Sequence, residues 1–219
     1  MLAVVTGANR GIGLEYVKAL VKRGDEVIAV CRTPSEALED LSVRAEAGVD
    51  LCDEDHIEAL AGRLSGTRID LLINNAGILT RESLEEMSFS RIQKQFEVNA
   101  LAPLRVTHAL LPNLSDGARV VMMTSRMGSI ADNTSGGRYG YRMSKAALNI
   151  ASVSLAHDLK ERNIAVAVLH PGWVRTAMTG HQGLLEPSES VRDLLTQIDN
   201  LTLENSGTFL HSNGEVLPW

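Results

Sequence analysis

No stretch of this chain is strongly basic. Lysine and arginine number 21 against 27 aspartates and glutamates, a formal net charge of −6, and the scattered cations exclude the phosphate-facing surface that nucleic-acid binding requires. Long apolar runs are missing as well: none approaches the ~18 residues of a membrane-spanning helix. The start, MLAVVTGANRG, enters a strand-like run at once, without a charged leader or small-residue cleavage site, so a cytoplasmic protein is expected. Cysteine is scarce. Cys31 and Cys52 each follow an apolar run and are expected as buried free thiols, not a disulfide. The six histidines lack metal-ligand spacing, and no metal is assigned. No linker, low-complexity tract or repeat divides the 219 residues, whose 44% hydrophobic content suits one compact domain.

What is present alternates. Short apolar runs, Leu2 to Thr6, Glu26 to Val30, Asp70 to Asn74, Arg119 to Ser125 and Ile164 to His170, read as strands, with a weaker one near Arg44 to Val49. Between them the periodicity predicts helices over Ile12 to Arg23, Asp53 to Leu64, Phe89 to Leu111 and Tyr141 to Glu161. Continuous apolar strands separated by helices indicate a doubly wound, Rossmann-type parallel sheet with helices on both faces. Residues Ala177 to Leu201 interrupt the alternation, and a long connection near the end of such a sheet is expected to be functional.

The first strand-to-helix turn is TGANRGIG. Gly7 makes the sharp exit from the strand, Gly11 admits a pyrophosphate close to the backbone, and Gly13 lets the helix pack close, while the helix N-terminus receives the phosphates. The second strand runs into VCRTP, with Arg32 where an NAD site places a carboxylate for the ribose hydroxyl. Arg10 adds a second guanidinium, and arginine suits a 2′-phosphate, so NADP is expected in preference to NAD. Further on, Tyr141 stands four residues before Lys145, one helical turn away, whereas Tyr139 stands six before it and off that face. An ammonium at ~5 Å attracts a phenolate by roughly 3 kcal/mol at an effective dielectric of ~20, enough to lower a phenol pKa by about two units. On its own the pair also fits an ordinary helix surface.

TGANRGIG, NNAG at Asn74 to Gly77, Asn99 in FEVNALAPL, Ser125 after VVMMT, YRMSK and HPGWVRT occur in order over Leu2 to Thr176. Together they resemble the short-chain dehydrogenase/reductases. SRMGSIADNTSGGRYGYRMSKAALN and the ending NGEVLPW resemble the C-factor-like or sniffer-like carbonyl reductases within them. The resemblance implies that Tyr141 protonates a carbonyl oxygen as hydride arrives, that Lys145 lowers its pKa and holds the nicotinamide ribose, and that Ser125 orients the substrate oxygen. Asn99 would hold a water linking Lys145 to solvent. Gly7, Asn9, Arg10, Gly11, Ile12, Gly13 and Arg32 would bind the phosphates and adenosine ribose. Asp50 and Leu51 would face the adenine, Asn75, Ala76 and Gly77 would line the adenosine side, and Pro171, Gly172, Val174 and Thr176 would border the nicotinamide. Tyr139 matches no catalytic position and is expected to pack or lie in a loop.

Two departures stand out. Sixteen positions separate Ser125 from Tyr141, more than is usual in the family, so ADNTSGG reads as an inserted loop beside the pocket. The connection from Ala177 to a helix near Ser188 is short, implying a small lid. Met127, Ile130, Trp173, Met178, Leu184 and Leu185 favour a hydrophobic aldehyde or ketone, while Arg126, Arg138 and Arg142 leave an acidic substrate open. The expected activity is NADPH-dependent reduction of a small-molecule carbonyl. The alternatives are a 3-oxoacyl-thioester reductase, with a carrier-docking patch near Arg126 and Arg138, and a non-catalytic dinucleotide-binding sensor. The broad small-residue band on the Tyr141 helix predicts a homodimer.

Overall fold

A computed structural model describes all residues, 1–219. Its strands β1 (Leu2–Thr6), β2 (Glu26–Val30), β3 (Arg44–Glu46), β4 (Ile69–Asn74), β5 (Leu114–Met123), β6 (Ala165–His170) and β7 (Phe209–His211) form one parallel sheet in the order β3-β2-β1-β4-β5-β6-β7. The helices are α1 (Gly11–Arg23), α2 (Glu36–Glu39), α3 (Glu54–Arg63), α4 (Phe89–Phe96), α5 (Ala102–Ala109), α6 (Tyr139–Asp158) and α7 (Pro187–Asp199).

Strand residues alternate between two cores, which is why the runs are apolar throughout. Ala3, Val5, Ala29, Ile73 and Leu169 meet α1 and α7 through Val17, Leu20, Val191 and Ile198. Val4, Ile28, Leu72, Val120 and Val166 meet α3, α5 and α6 on the opposite face through Ile57, Leu60, Val106 and Leu148. The order reverses between β1 and β4, opening a crevice at the strands' carboxyl ends, where ligands of open α/β sheets bind.

Four expectations change. The helix from Phe89 to Leu111 is three pieces, because a π turn at Glu97–Leu101 separates α4 from α5 and a 3₁₀ turn follows at Leu111–Asn113. Strand β5 starts at Leu114, with a register irregularity opposite Ile69/Leu71, and ends at Met123, leaving Ser125 beyond it. Helix α6 begins at Tyr139, so that residue is helical and partly buried. Strand β7 and the four-residue α2 were not anticipated. The weak third strand is confined to Arg44–Glu46.

Candidate active site

The crevice is built by backbone approach. Gly7 leaves β1 at φ +66°, and a Cβ there would lie 2.9 Å from Ala76 Cα. Thr6 Oγ1 accepts the amides of Asn75 (3.0 Å) and Ala76 (3.2 Å), and Asn75 Nδ2 donates to Thr6 O at 3.0 Å. This lashing of β4 to β1, with Thr6 central, was not foreseen; a single threonine at a strand end carries no distinguishing pattern. Gly13 is tighter, since a Cβ would stand 2.1 Å from Gly7 O and 2.6 Å from Asn75 Nδ2.

The residues present fit a dinucleotide. Helix α1 starts with Gly11 and Ile12, its N-cap Arg10 makes no side-chain cap, and no acid occupies its first turn, so the first amides and the dipole are left for an anion. Asn9 Nδ2 donates to Thr33 O (3.1 Å) and Ser35 Oγ donates to Asn9 O (2.7 Å). These bonds join the glycine turn to the loop after β2, where Arg32 is exposed, as is Arg10. Backbone bonds from Gly48 to Arg32 O and from Val49 to Cys31 O bring Asp50 and Leu51 beside the same strand end. The Asp50 carboxylate accepts the Cys52 amide at 3.0 Å.

At the other half of the crevice, Ser125, Tyr141, Lys145 and Asn99 gather around the ends of β4 and β5. Ser125 is buried and its Oγ accepts the Met127 amide at 3.2 Å, capping the 3₁₀ turn Arg126–Gly128 that packs on α6. Asn99 lies in the π turn. Its Oδ1 accepts the Ile78 amide (2.8 Å), and its Nδ2 donates to Ile78 O (2.9 Å) and Ser144 Oγ (3.0 Å). The asparagine therefore clamps the chain just after the NNAG segment, which ends at Gly77.

The electrostatics correct one expectation. Lys145 does not hold the Tyr141 phenol down. Burial raises the phenol, outweighing a hydrogen bond with Ser125 and the Arg138 charge, both of which lower it. Lys145 Nζ stands 5.8 Å from the tyrosine ring centroid and donates to Met123 O at 2.8 Å. Its own pKa is lowered by burial to about 7. An unfolded lysine keeps its proton to pH ~10.4, so above pH 7 the unfolded chain holds more protons and stability rises with pH. Unfolding free energy from urea titration is expected to be higher at pH 8 than at pH 7, and Lys145→Met to remove that increment.

Pro171, Gly172, Val174 and Thr176 follow β6 and run over the glycine turn, with the Thr176 methyl 3.6 Å from where a Gly11 Cβ would sit. The Ser190 hydroxyl donates to Pro171 O at 2.7 Å. The short lid is self-braced: the Leu184 and Leu185 amides donate to Trp173 O, Arg175 N to Leu185 O, and Arg175 pairs with Glu186 at 2.6 Å. Its Trp173, Met178 and Leu184 are exposed, as is Ile130, while Leu185 and Met127 are partly covered. The three arginines differ. Arg126 pairs with Asp132 (2.7 Å) and Glu215 (3.1 Å), and Arg142 bonds Gly136 O and Ser135 Oγ.

Two further groups escaped sequence reasoning. His170 and His211 end adjacent strands with ring centroids 5.0 Å apart. Burial, then the His211 and Arg126 charges, push His170 down to about 3. The pair is formed by the β6–β7 register, so only a foreseen β7 could have revealed it.

A parallel α/β sheet with a glycine-rich first turn, an N-terminal helix end free of caps and a Ser–Tyr–Lys cluster at its switch point defines a nucleotide-binding oxidoreductase fold. The family model described as short chain dehydrogenase matches residues 1–184, and the chain belongs to that family, in its C-factor-like and sniffer-like branch. It is 40% identical over 222 residues to the 1-hydroxy-2-glutathionyl-2-methyl-3-butene dehydrogenase of Rhodococcus sp., covering 99% of this chain and 98% of that one. It is 46% identical over 166 residues to the C-signal of Myxococcus xanthus, covering 74% of this chain and 100% of that one. The NADPH-bound carbonyl reductase from chicken fatty liver superposes with a TM-score of 0.91 at 33% identity, covering 99% and 98% of the two chains. No helix is long and apolar enough to cross a membrane.

Proposed function

We propose that this oxidoreductase is a cytoplasmic, NADPH-dependent carbonyl reductase that converts an aldehyde or ketone to an alcohol. The observation that carries the reading is the convergence of Ser125, Tyr141 and Lys145 on one crevice with the glycine turn. NADPH, when bound, supplies the hydride. Ser125 Oγ orients the carbonyl oxygen, and the Tyr141 phenol gives it a proton. Burial keeps that phenol protonated at neutral pH, the state a donor needs. Lys145 would hold the nicotinamide ribose hydroxyls, and Asn99 holds the Ile78 backbone that walls the site. The name of the Rhodococcus relative favours a second reading, oxidation of an alcohol by the same groups in reverse. Of the two arginines of a carrier-docking patch for an acyl thioester, Arg126 is already paired. Initial rates with NADPH and a carbonyl panel, against NADP and the matching alcohols, test the activity and its direction. A chain inert in both directions is the sensor alternative.

Cofactor preference rests on Arg10 and Arg32 together at the adenosine end. Arg32→Asp replaces attraction for the 2′-phosphate with repulsion. A lost charge-assisted bond costs ~1.5–3 kcal/mol, so kcat/KM for NADPH is expected to fall about ten- to a hundred-fold relative to NADH. Equal use of both cofactors by the wild type would overturn the preference.

The same reading includes a homodimer. Met143 and Ile150, seven residues apart on one face of α6, are 50% and 66% exposed, and Phe89 at the start of the adjoining α4 is 74% exposed. Ala151, one of the small residues of that helix, is partly covered, so Ile150 is the residue to test. Light scattering is expected to give about twice the 23.7 kDa chain mass, and Ile150→Glu to return it to one chain. A wild-type mass of one chain rejects the dimer.

A further inference from the structure

One open cavity is polar. It spans about 400 Å³ and is lined by Arg81, Glu82, Glu86, Arg138 and Arg142, with Met127 and the inserted Ser135–Gly137 segment. Two of its lining residues neighbour the catalytic side chains. Met127 lines it and donates its amide to Ser125 Oγ. Arg138 precedes Tyr141 by three residues at the start of α6, where its charge acts on the phenol.

The charges in the cavity are unequal in their commitments. Glu82 is buried, and both its oxygens accept from Gln95 Nε2 at 3.3 Å while one also takes the Thr80 hydroxyl, so that carboxylate is engaged beneath the cavity. Glu86 is exposed and forms no ion pair. Arg142 spends its donors on Gly136 O (3.3 Å), Ser135 Oγ (2.9 Å) and Met127 O (3.5 Å), fixing the inserted loop as a wall. Arg81 and Arg138 are different. Unlike Arg126, neither forms an ion pair, and the contact of the Arg138 guanidinium is Met127 Sδ at 3.8 Å. The Arg138 backbone is left-handed at φ 50°, a conformation uncommon for a branched-free but bulky side chain, and is pinned by its amide donating to Glu82 O at 2.7 Å.

We propose that this cavity is a subsite for an anionic group, carboxylate or phosphate, carried by the substrate on the far side of its reacting carbonyl and bound by Arg81 and Arg138. The proposal rests on the carbonyl reductase reading and names the substrate class. Guanidinium forks suit both anions, and a pair without a protein carboxylate is available to receive one. The inserted loop then has a role: it closes the subsite and leaves two of its three arginines uncommitted.

The test compares 4-formylbenzoate, 4-formylphenyl phosphate and the neutral methyl 4-formylbenzoate, with NADPH saturating. Either anion is expected to be used at least ten-fold better than the ester in kcat/KM, and the larger preference names the group. Arg81→Glu, a change at an exposed position, is expected to cut that ratio ten- to a hundred-fold, mainly through KM, with Arg138→Gln acting in the same direction. Equal use of ester and anions, or a ratio that Arg81→Glu leaves alone, overturns the subsite while leaving the reductase standing. If no aldehyde is reduced, the reductase reading falls by itself. The subsite is then decided by calorimetric titration of terephthalate and phenyl phosphate into the NADPH-loaded protein: binding lost in Arg81→Glu supports it, and no binding of either overturns it.

Discussion

Tyr141→Phe is expected to lower kcat by about a hundred-fold or more, because it removes the proton that general acid catalysis delivers while keeping the ring. NADPH affinity, measured by fluorescence titration, should stay within a few-fold, since the glycine turn and arginines are untouched. Tyr139→Phe serves as the comparison: it lies two residues away at the start of the same helix, partly buried. It should leave kcat nearly unchanged. Equal losses in both variants would remove Tyr141 from the chemistry. The contrast depends on helix geometry, because only the residue four positions before Lys145 shares its face.

Gly13→Ala is expected to be the most disruptive single-methyl change. Its Cβ would meet Gly7 O at 2.1 Å and Asn75 Nδ2 at 2.6 Å, so α1 must move away from β1. Overpacking of this kind costs about 1–3 kcal/mol, and the displaced helix end no longer presents its amides to the phosphates. NADPH affinity should fall ten-fold or more, with a lower melting temperature. Gly62→Ala is the opposite case. A Cβ there meets nothing within 4 Å in the last turn of α3, so it should raise stability by about 0.4–1 kcal/mol. If the two substitutions shift the melting temperature alike, the close approach of α1 and β1 is not what the glycine serves.

Much of this was legible in the chain because the cues were local. The apolar runs of β1, β2 and β6, the glycine turn and the Tyr–Lys spacing each concern residues within a few positions of one another. What escaped depended on distant contacts. Arg126 and Arg138 look equivalent in sequence, yet Arg126 is neutralised by Glu215, brought near by the end of the sheet, and Arg138 is not. Lys145 was expected to act on Tyr141, but its nearer partner is a strand carbonyl at Met123, and burial decides the sign of both shifts. β7 is three residues long with no alternation to mark it, and with it went the His170–His211 pair.

The π turn at Glu97–Leu101 has a consequence for how the chain tolerates loss of length. A π turn is an α-helix carrying a surplus residue, so deleting one residue there would let α4 and α5 join into a single regular helix. The fold would survive the excision, and α5 would keep Val106 against the core. Asn99, however, would rotate by about a residue's step around the axis, roughly 100°, and release the Ile78 backbone. The shorter chain would be better formed as a helix and worse as an enzyme.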